Sequence, residues 1–394
     1  MMKNIILFDP VKAREGLLPL TFTRPVALIR HGILTISEKW QRAIPGAYSY
    51  QTEDYLSMKF PMIQSEDGDD LFIAGNMEPD PQITAAILAL QHGEALADND
   101  GNILARRCTG EPSHIITYEG ENLLTINRPY DIFMKNAEAM MRDYMLITEG
   151  RKSEPLSDSC RLIGDPVLAD GTPALFIEKG ATVEGAIINV KNGPVYVGRD
   201  AEIMEGSCLR GPIAMCEHSV INMGSKIYGG TTLGPYCKVG GEINNAVLIG
   251  YSNKAHDGFL GNAVIGEWCN LGAGCTMSNL KNTYAPIRLW DYTTSTFEKT
   301  KLQFCGLIMG DHCKAGINTM FNTATMLGVG VNFYSAGFPR TFIPSFSEGT
   351  VQGMKPVDLD RFYQTAERMM SRRHVELTPI DKEILLNIYQ QTIQ

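Results

Sequence analysis

Every sixth residue from Val197 is large and aliphatic: Val197, Ile203, Leu209, Met215, Ile221, Ile227, Leu233 and Val239. With about one such residue in four, eight in succession has odds on the order of 10^-5 before the choice of frame. Four positions after each stand Ala201, Ser207, Ile213, Ser219, Ser225, Thr231, Cys237 and Ile243, mostly small or β-branched. The period returns at Ile265 and Leu271, and again at Met309, Ala315, Phe321, Leu327 and Phe333. A period of six fits neither an α-helix nor a hairpin sheet. It predicts a three-sided parallel solenoid in which each hexad is one short strand plus a corner and three hexads make a coil. The aliphatic residue points inward and the small one packs at the corner.

Composition narrows the rest. With 20% charged and 44% hydrophobic residues, 38 Gly and 20 Pro, the 394-residue chain is a folded, turn-rich protein and neither disordered nor a long coiled coil. Its 35 Lys and Arg against 44 Asp and Glu leave a net charge of -9, which argues against nucleic-acid and anionic-membrane partners. Small anionic substrates stay open, because a site needs only a few local cations. The nine cysteines form no CxxC pair and are odd in number, so reduced thiols filling core space are expected, and no metal site. The apolar run at 1–8 is too short for a signal peptide, and no stretch approaches the roughly 20 apolar residues of a membrane span. The expected location is the cytoplasm.

Three regions follow. Residues 1–150 read as a mixed α/β domain, with strands at 3–8 and 70–74 and helices at 31–43 and 81–91. Asp80 is the N-cap of the second helix and Pro81 its first residue. A helical stripe at 129–145 bridges to the solenoid of 155–345. Residues 356–394 read as helices over 356–374 and from Thr378-Pro379 to about 391. The period lapses at 277–308, where 282–291 reads as an inserted loop of the kind that lines binding sites.

The segment Asn253-Lys254-Ala255-His256-Asp257-Gly258-Phe259-Leu260-Gly261-Asn262-Ala263-Val264-Ile265-Gly266-Glu267-Trp268-Cys269-Asn270-Leu271-Gly272-Ala273-Gly274 resembles the acetyltransferase half of the GlmU-like bifunctional family. That family makes UDP-N-acetylglucosamine, joining a sugar-phosphate nucleotidyltransferase to a left-handed β-helix that acetylates glucosamine 1-phosphate. The resemblance covers about 220–337 and implies left-handed coiling and a homotrimer. Acyl transfer to an amine needs a base, since an ammonium has no lone pair, and histidine is the natural candidate. By resemblance His256 is that base and Glu242 the acid that orients it. Lys226, Asn270 and Asn279 bind the sugar phosphate, and the backbone around Ala273, Ile317 and Ala336 holds acetyl-CoA. Two positions depart from the family: Asn244 stands for a phosphate-binding Lys and Phe259 for a substrate-contacting Tyr.

The N-terminal region resembles the nucleotidyltransferase half through Gly16-Leu17-Leu18-Pro19-Leu20-Thr21-Phe22-Thr23-Arg24-Pro25-Val26-Ala27-Leu28-Ile29. Here Phe8-Asp9-Pro10 replaces the Gly-Gly pair that lets backbone amides approach a phosphate. The catalytic Arg position falls at Gly16, two from Arg14, and the Lys after the proline is Val26. Asn76 replaces a carboxylate that would bind the Mg2+ such a domain uses, and an amide is the poorer ligand. Three readings therefore stand: an acetyl-CoA-dependent acyltransferase on an amino sugar phosphate or sugar nucleotide, a nucleotidyltransferase trimerised by its solenoid, and a non-catalytic sugar-nucleotide-binding assembly protein.

Overall fold

A computed structural model describes residues 3–66 and 68–392; Met1 and Met2 of the N-terminal apolar run lie outside the described residues. The chain divides into two compact units. One holds the residues through Leu17 with Thr23–Ile29 and Leu34–Arg128; the other holds Leu18–Phe22, Arg30–Ile33 and the chain from Pro129 onward.

The first unit is built on a six-stranded sheet of β1 (Lys3–Phe8), β2 (Gly46–Gln51), β3 (Leu71–Ala74), β4 (Glu94–Ala97), β5 (Ile103–Arg106) and β6 (His114–Thr117), in the order β2-β1-β3-β5-β4-β6. Strand β1 runs parallel to both β2 and β3. Ile5, Ile6 and Leu7 are all fully buried, as a strand covered on both faces requires. The helix expected at 31–43 spans only Ile36–Ala43, starting at a capping box in which Thr35 and Glu38 satisfy each other's backbone N–H groups. Residues 32 and 33 cannot join it, because the Gly32 N–H donates to Asn136 Oδ1 and the Ile33 N–H to Asp143 Oδ2. The helix Pro81–Ala89 has the expected cap, Asp80 accepting from Gln82 N and Ile83 N.

The second unit contains the expected parallel β-solenoid. All eight residues of the first hexad series, Val197 through Val239, are at most 1% exposed. The first side carries Ile187–Asn189, Cys208–Arg210 and Lys226–Ile227, and the second Val195–Val197, Ile213–Met215 and Thr231–Leu233. The third carries Val220–Ile221, Lys238–Val239, Asn253–Lys254, Asn270–Leu271 and Lys314–Ala315. Each strand pairs in parallel with its counterpart one coil away, so every rung supplies hydrogen-bond partners to the next. The two strands Glu242–Gly250 and Phe259–Glu267 run across the first and second sides without a break and pair with each other.

Ile243 differs from its expected corner place. It pairs in register with Ile227 and Leu260 and is an inward residue of the first side, because the coil tightens there. Ile243 follows Ile227 by 16 residues, whereas Ile227 follows Leu209 by 18. At another corner, His218, Tyr236, Tyr251 and Trp268 all take positive φ, between 53 and 60°. Their rings stack coil on coil with centroids 4.6, 5.2 and 4.2 Å apart, contacts that offset part of the cost of left-handed backbone at non-glycine residues.

Helix Pro129–Thr148 docks on the solenoid through Asn136, fully buried, whose Nδ2 donates to Gly230 O and Thr232 Oγ1. The inserted loop is a hairpin of Arg288–Asp291 and Thr296–Lys299 whose Trp290 stacks on Phe342 at 4.1 Å. At the C-terminal end, Gly353–Pro356 forms a hairpin strand with Ser347–Thr350, which delays the helix expected from 356 to Leu359–Ser371, capped by Asp358. A second helix, Pro379–Thr392, follows. The nine cysteines are free, seven of them buried, consistent with their reading as core filler. Replacing the inward Ile221 by Ala is expected to destabilise the solenoid by about 2 to 5 kcal/mol. Replacing Met223, two residues on and exposed, should change stability by less than about 0.5 kcal/mol. Paired urea denaturation curves check both.

Candidate functional site

The solenoid candidates gather around one edge, where the third side turns into the first. His256 lies in the turn after Asn253–Lys254; its side chain is exposed and has no hydrogen bond or ion pair among the described residues. The next two coils place Ala273 and Ile317 at the same turn, with the Asn318 N–H donating to Ala273 O at 2.7 Å. Ile317 is 71% exposed, and Met223 occupies the equivalent position on the other side of His256 at 69%. The register Ala315 to Phe333 sets Ser335, and not Ala336, opposite Ile317, so Ala336 stands one position further round.

On the first side, Lys226, Glu242 and Phe259 lie next to one another in the parallel ladder, about 4.8 Å apart. Neither an ion pair nor a hydrogen bond joins Glu242 to His256 or to Lys226 among the described residues. Asn279 is on this side too, its Nδ2 donating to Asn262 Oδ1 at 2.8 Å and lying over Gly261, the ladder partner of Asn244. Asn270 is on the third side, in register with Asn253 and Lys314. The edge therefore brings His256 between two groups, with Lys226, Glu242 and Asn279 on one flank and Asn270 on the other. Of the inserted 277–308, Asn279 stands at this region and Leu280 bridges to Phe304 at the root. The hairpin's Trp290 and Tyr292 pack against Phe342 on the second side, away from the edge where a site lining was expected.

The sequence quoted Lys254 only as part of a motif. In the structure it is 1% exposed and points inward, where the third side elsewhere places Ile203, Ile221, Val239 and Leu271. The shortened coil hid this: an 18-residue frame counted from Val239 misses it.

In the first unit the end of β1 leads into a helix, Val11–Gly16, and not into a glycine-rich phosphate loop. Asp9 is buried, accepting from Val26 N at 2.8 Å and from Thr52 Oγ1 at 2.7 Å; burial pushes its carboxyl up to about 6. Arg14, also buried, donates to Tyr55 Oη at 2.9 Å. At Gly16 a Cβ would stand 2.4 Å from Asn127 O, so the position of the family's catalytic Arg has no room for any side chain. Asn76 donates from its amide to Asn127 Oδ1 at 2.8 Å. A buried carboxyl held by Val26 N and Thr52 Oγ1 and an amide pair are poor ligands for Mg2+, and no cluster of three or more His, Cys, Asp or Glu among the described residues is placed to hold a metal.

Because the folded state holds the Asp9 proton to higher pH than the unfolded chain, its charge destabilises the fold increasingly from about pH 4 to about pH 6. Asp9→Asn, which keeps an acceptor for Val26 N, should raise stability by about 1 to 3 kcal/mol at pH 7 and leave it unchanged below about pH 4. Thermal unfolding at the two pH values measures this.

Comparison with known proteins gives matches to the two kinds of region. The sugar nucleotidyl transferase family model matches residues 5–152. An 85-residue stretch is 35% identical to the bifunctional protein GlmU of Gloeobacter violaceus, covering 21% of this chain and only 18% of that protein. Among solved structures, the acetyltransferase domain of PglB from Neisseria gonorrhoeae, in complex with acetyl coenzyme A, aligns over 90% of this chain and all of its own at 10% identity and a TM-score of 0.18. The same domain without that ligand aligns at 9% and 0.19. Scores this low carry no argument, and the solenoid rests on the strand pairing described above. Residues 5–152 are thus similar to sugar nucleotidyl transferases and a separate 85-residue comparison is similar to part of GlmU, so the chain resembles a divergent GlmU-like protein.

Proposed function

We propose that the solenoid is an acetyl-CoA-dependent N-acyltransferase, acting in the cytoplasm as a homotrimer on an amino sugar phosphate or a sugar nucleotide. The observation that carries this reading is the His256 edge: an exposed imidazole with no partner among the described residues, flanked by a lysine, a glutamate and two asparagines, beside an open strip at Ala273 and Ile317.

In this reading the sugar amine attacks the thioester carbonyl. A C–N bond forms, the C–S bond breaks, the amine proton passes to His256, and the departing thiolate takes up a proton to leave as free CoA thiol. Glu242 steadies the imidazolium electrostatically from the ladder beside Phe259, which follows His256 by three residues, since no direct hydrogen bond joins the two among the described residues. Lys226 supplies the positive charge that a sugar phosphate needs, and Asn270 and Asn279 offer amide contacts from the two flanks. Backbone at Ala273 and Ile317 holds the acyl donor and presents an N–H to the developing oxyanion. The backbone near Ala336 would contact the donor one step further along. Asn244 and Phe259 offer less polar grip than the family's Lys and Tyr, which supports an acceptor other than glucosamine 1-phosphate.

A second reading is favoured by the match over residues 5–152: the first unit binds a sugar nucleotide without transferring it. The closed Gly16 position and the Asn76 amide support binding over chemistry.

Incubation with acetyl-CoA and glucosamine 1-phosphate or other amino sugar phosphates, followed by free-thiol release, tests the acyltransferase. His256→Ala should lower turnover at least about 100-fold, the scale of a lost general base; turnover equal to wild type removes His256 from the reaction. For the second reading, calorimetry should show UDP-sugar binding with no pyrophosphate released from UTP and a sugar 1-phosphate.

A further inference from the structure

Three successive carbonyls form the His256 turn, and each is bound from a different place. The carbonyl of Lys254 accepts from Gly240 N at 2.8 Å, in the ordinary ladder. The carbonyl of Ala255 accepts from Asn222 Nδ2 at 2.7 Å. The carbonyl of His256 accepts from Lys254 Nζ, which also donates to Gly240 O at 3.1 Å. Gly240 makes the Asn222 contact possible. It lies in the coil between the two partners, and a Cβ there would stand 2.2 Å from Ala255 O.

Lys254 is costly where it sits. It occupies an inward position of the apolar prism and is 1% exposed. No carboxylate pairs with it among the described residues; the Cys275 thiol and the Asp257 carboxyl are the titratable groups that bear on it. A buried ammonium satisfied only by carbonyls is less stable than the aliphatic residue its neighbours use. Burial accordingly lowers its pKa to about 8. A residue that lowers the stability of its own coil and sets its charged end on the carbonyl of His256 has a place at the site.

We infer that Lys254, together with Asn222, is a positioning residue that fixes the backbone turn carrying His256, so that the imidazole is presented in one orientation at the edge. The inference rests on the reading of His256 as the base. Lys254 is not a catalytic residue: its amino group faces the interior of the coil, and it acts through the His256 carbonyl. Asn222 acts from two coils away by the same means.

Lys254→Met fills the same volume without donating, and Asn222→Ala removes the second donor. Hydrogen exchange at the Gly240 amide, which donates to the Lys254 carbonyl, and at the Glu242 amide, which donates to the Gly258 carbonyl just after the turn, should speed up at least tenfold in both variants. Lys254→Met should nevertheless melt at or above the wild-type temperature at pH 7. That advantage should shrink from pH 8 towards 10.5, as the unfolded lysine also loses its proton. In the thiol-release assay with acetyl-CoA and an amino sugar phosphate, kcat should fall at least tenfold with KM for acetyl-CoA within twofold. Unchanged exchange at both amides overturns the inference. Unchanged turnover in Lys254→Met alongside lost turnover in His256→Ala also overturns it and leaves the base in place. Unchanged turnover in both variants overturns the reading of His256 itself.

Discussion

Parallel stacking of coil on coil is the constraint from which the second unit follows. Each strand must find its hydrogen-bond partners in the coils on either side, so the same side must recur at a fixed interval and the inward position must be apolar every time. From Val197 to Val239 the chain obeys this without exception. From Val239 to Leu260 it does not. The coil shortens, a lysine enters the prism and two strands fuse across a corner. His256 and Glu242 lie in this irregular stretch, while Lys226, Asn270 and Ile317 belong to coils on either side of it. Neighbouring coils that keep the regular spacing supply the rigidity that the tight turn needs.

The first unit shows the converse. Its sheet keeps β1 between two parallel neighbours, the arrangement whose carboxyl ends form a ligand crevice in open α/β sheets. The groups at those ends have become structural. Asp9 clips the Val26 backbone and Thr52 together, Arg14 bonds Tyr55 and pairs with Asp9 and Glu53, and the Gly16 position is closed by Asn127. A sheet of this kind is stable through its buried Ile5, Ile6 and Leu7, whichever residues cap its strands.

Much of the molecule was legible in the sequence because its signals are local and repetitive. The hexad frame named the inward residues, Asp80-Pro81 named a helix start, Asn76 stood where a metal-binding carboxylate would be, and Gly16 stood where the catalytic Arg would be. The differences arise where distant segments compete for the same groups. Gly32 and Ile33 read as helix but give their N–H groups to Asn136 and Asp143. Ile243 read as a corner because a fixed period cannot register a shortened coil. The insertion read as a site lining, yet its Trp290 and Tyr292 are drawn to the apolar face of Phe342.

The sequence alone determined the solenoid, its inward residues and the presence of an imidazole in a distinctive block, since a six-residue period and a short motif need no knowledge of distant contacts. Only the tertiary structure decided which residues share an edge with that imidazole and what holds it there. Lys226, Glu242, Asn279 and Asn270 take their places from coil length and strand register. Asn222, Gly240 and Lys254 converge on a single turn because coils stacked about 4.8 Å apart bring residues far separated along the chain within hydrogen-bonding reach.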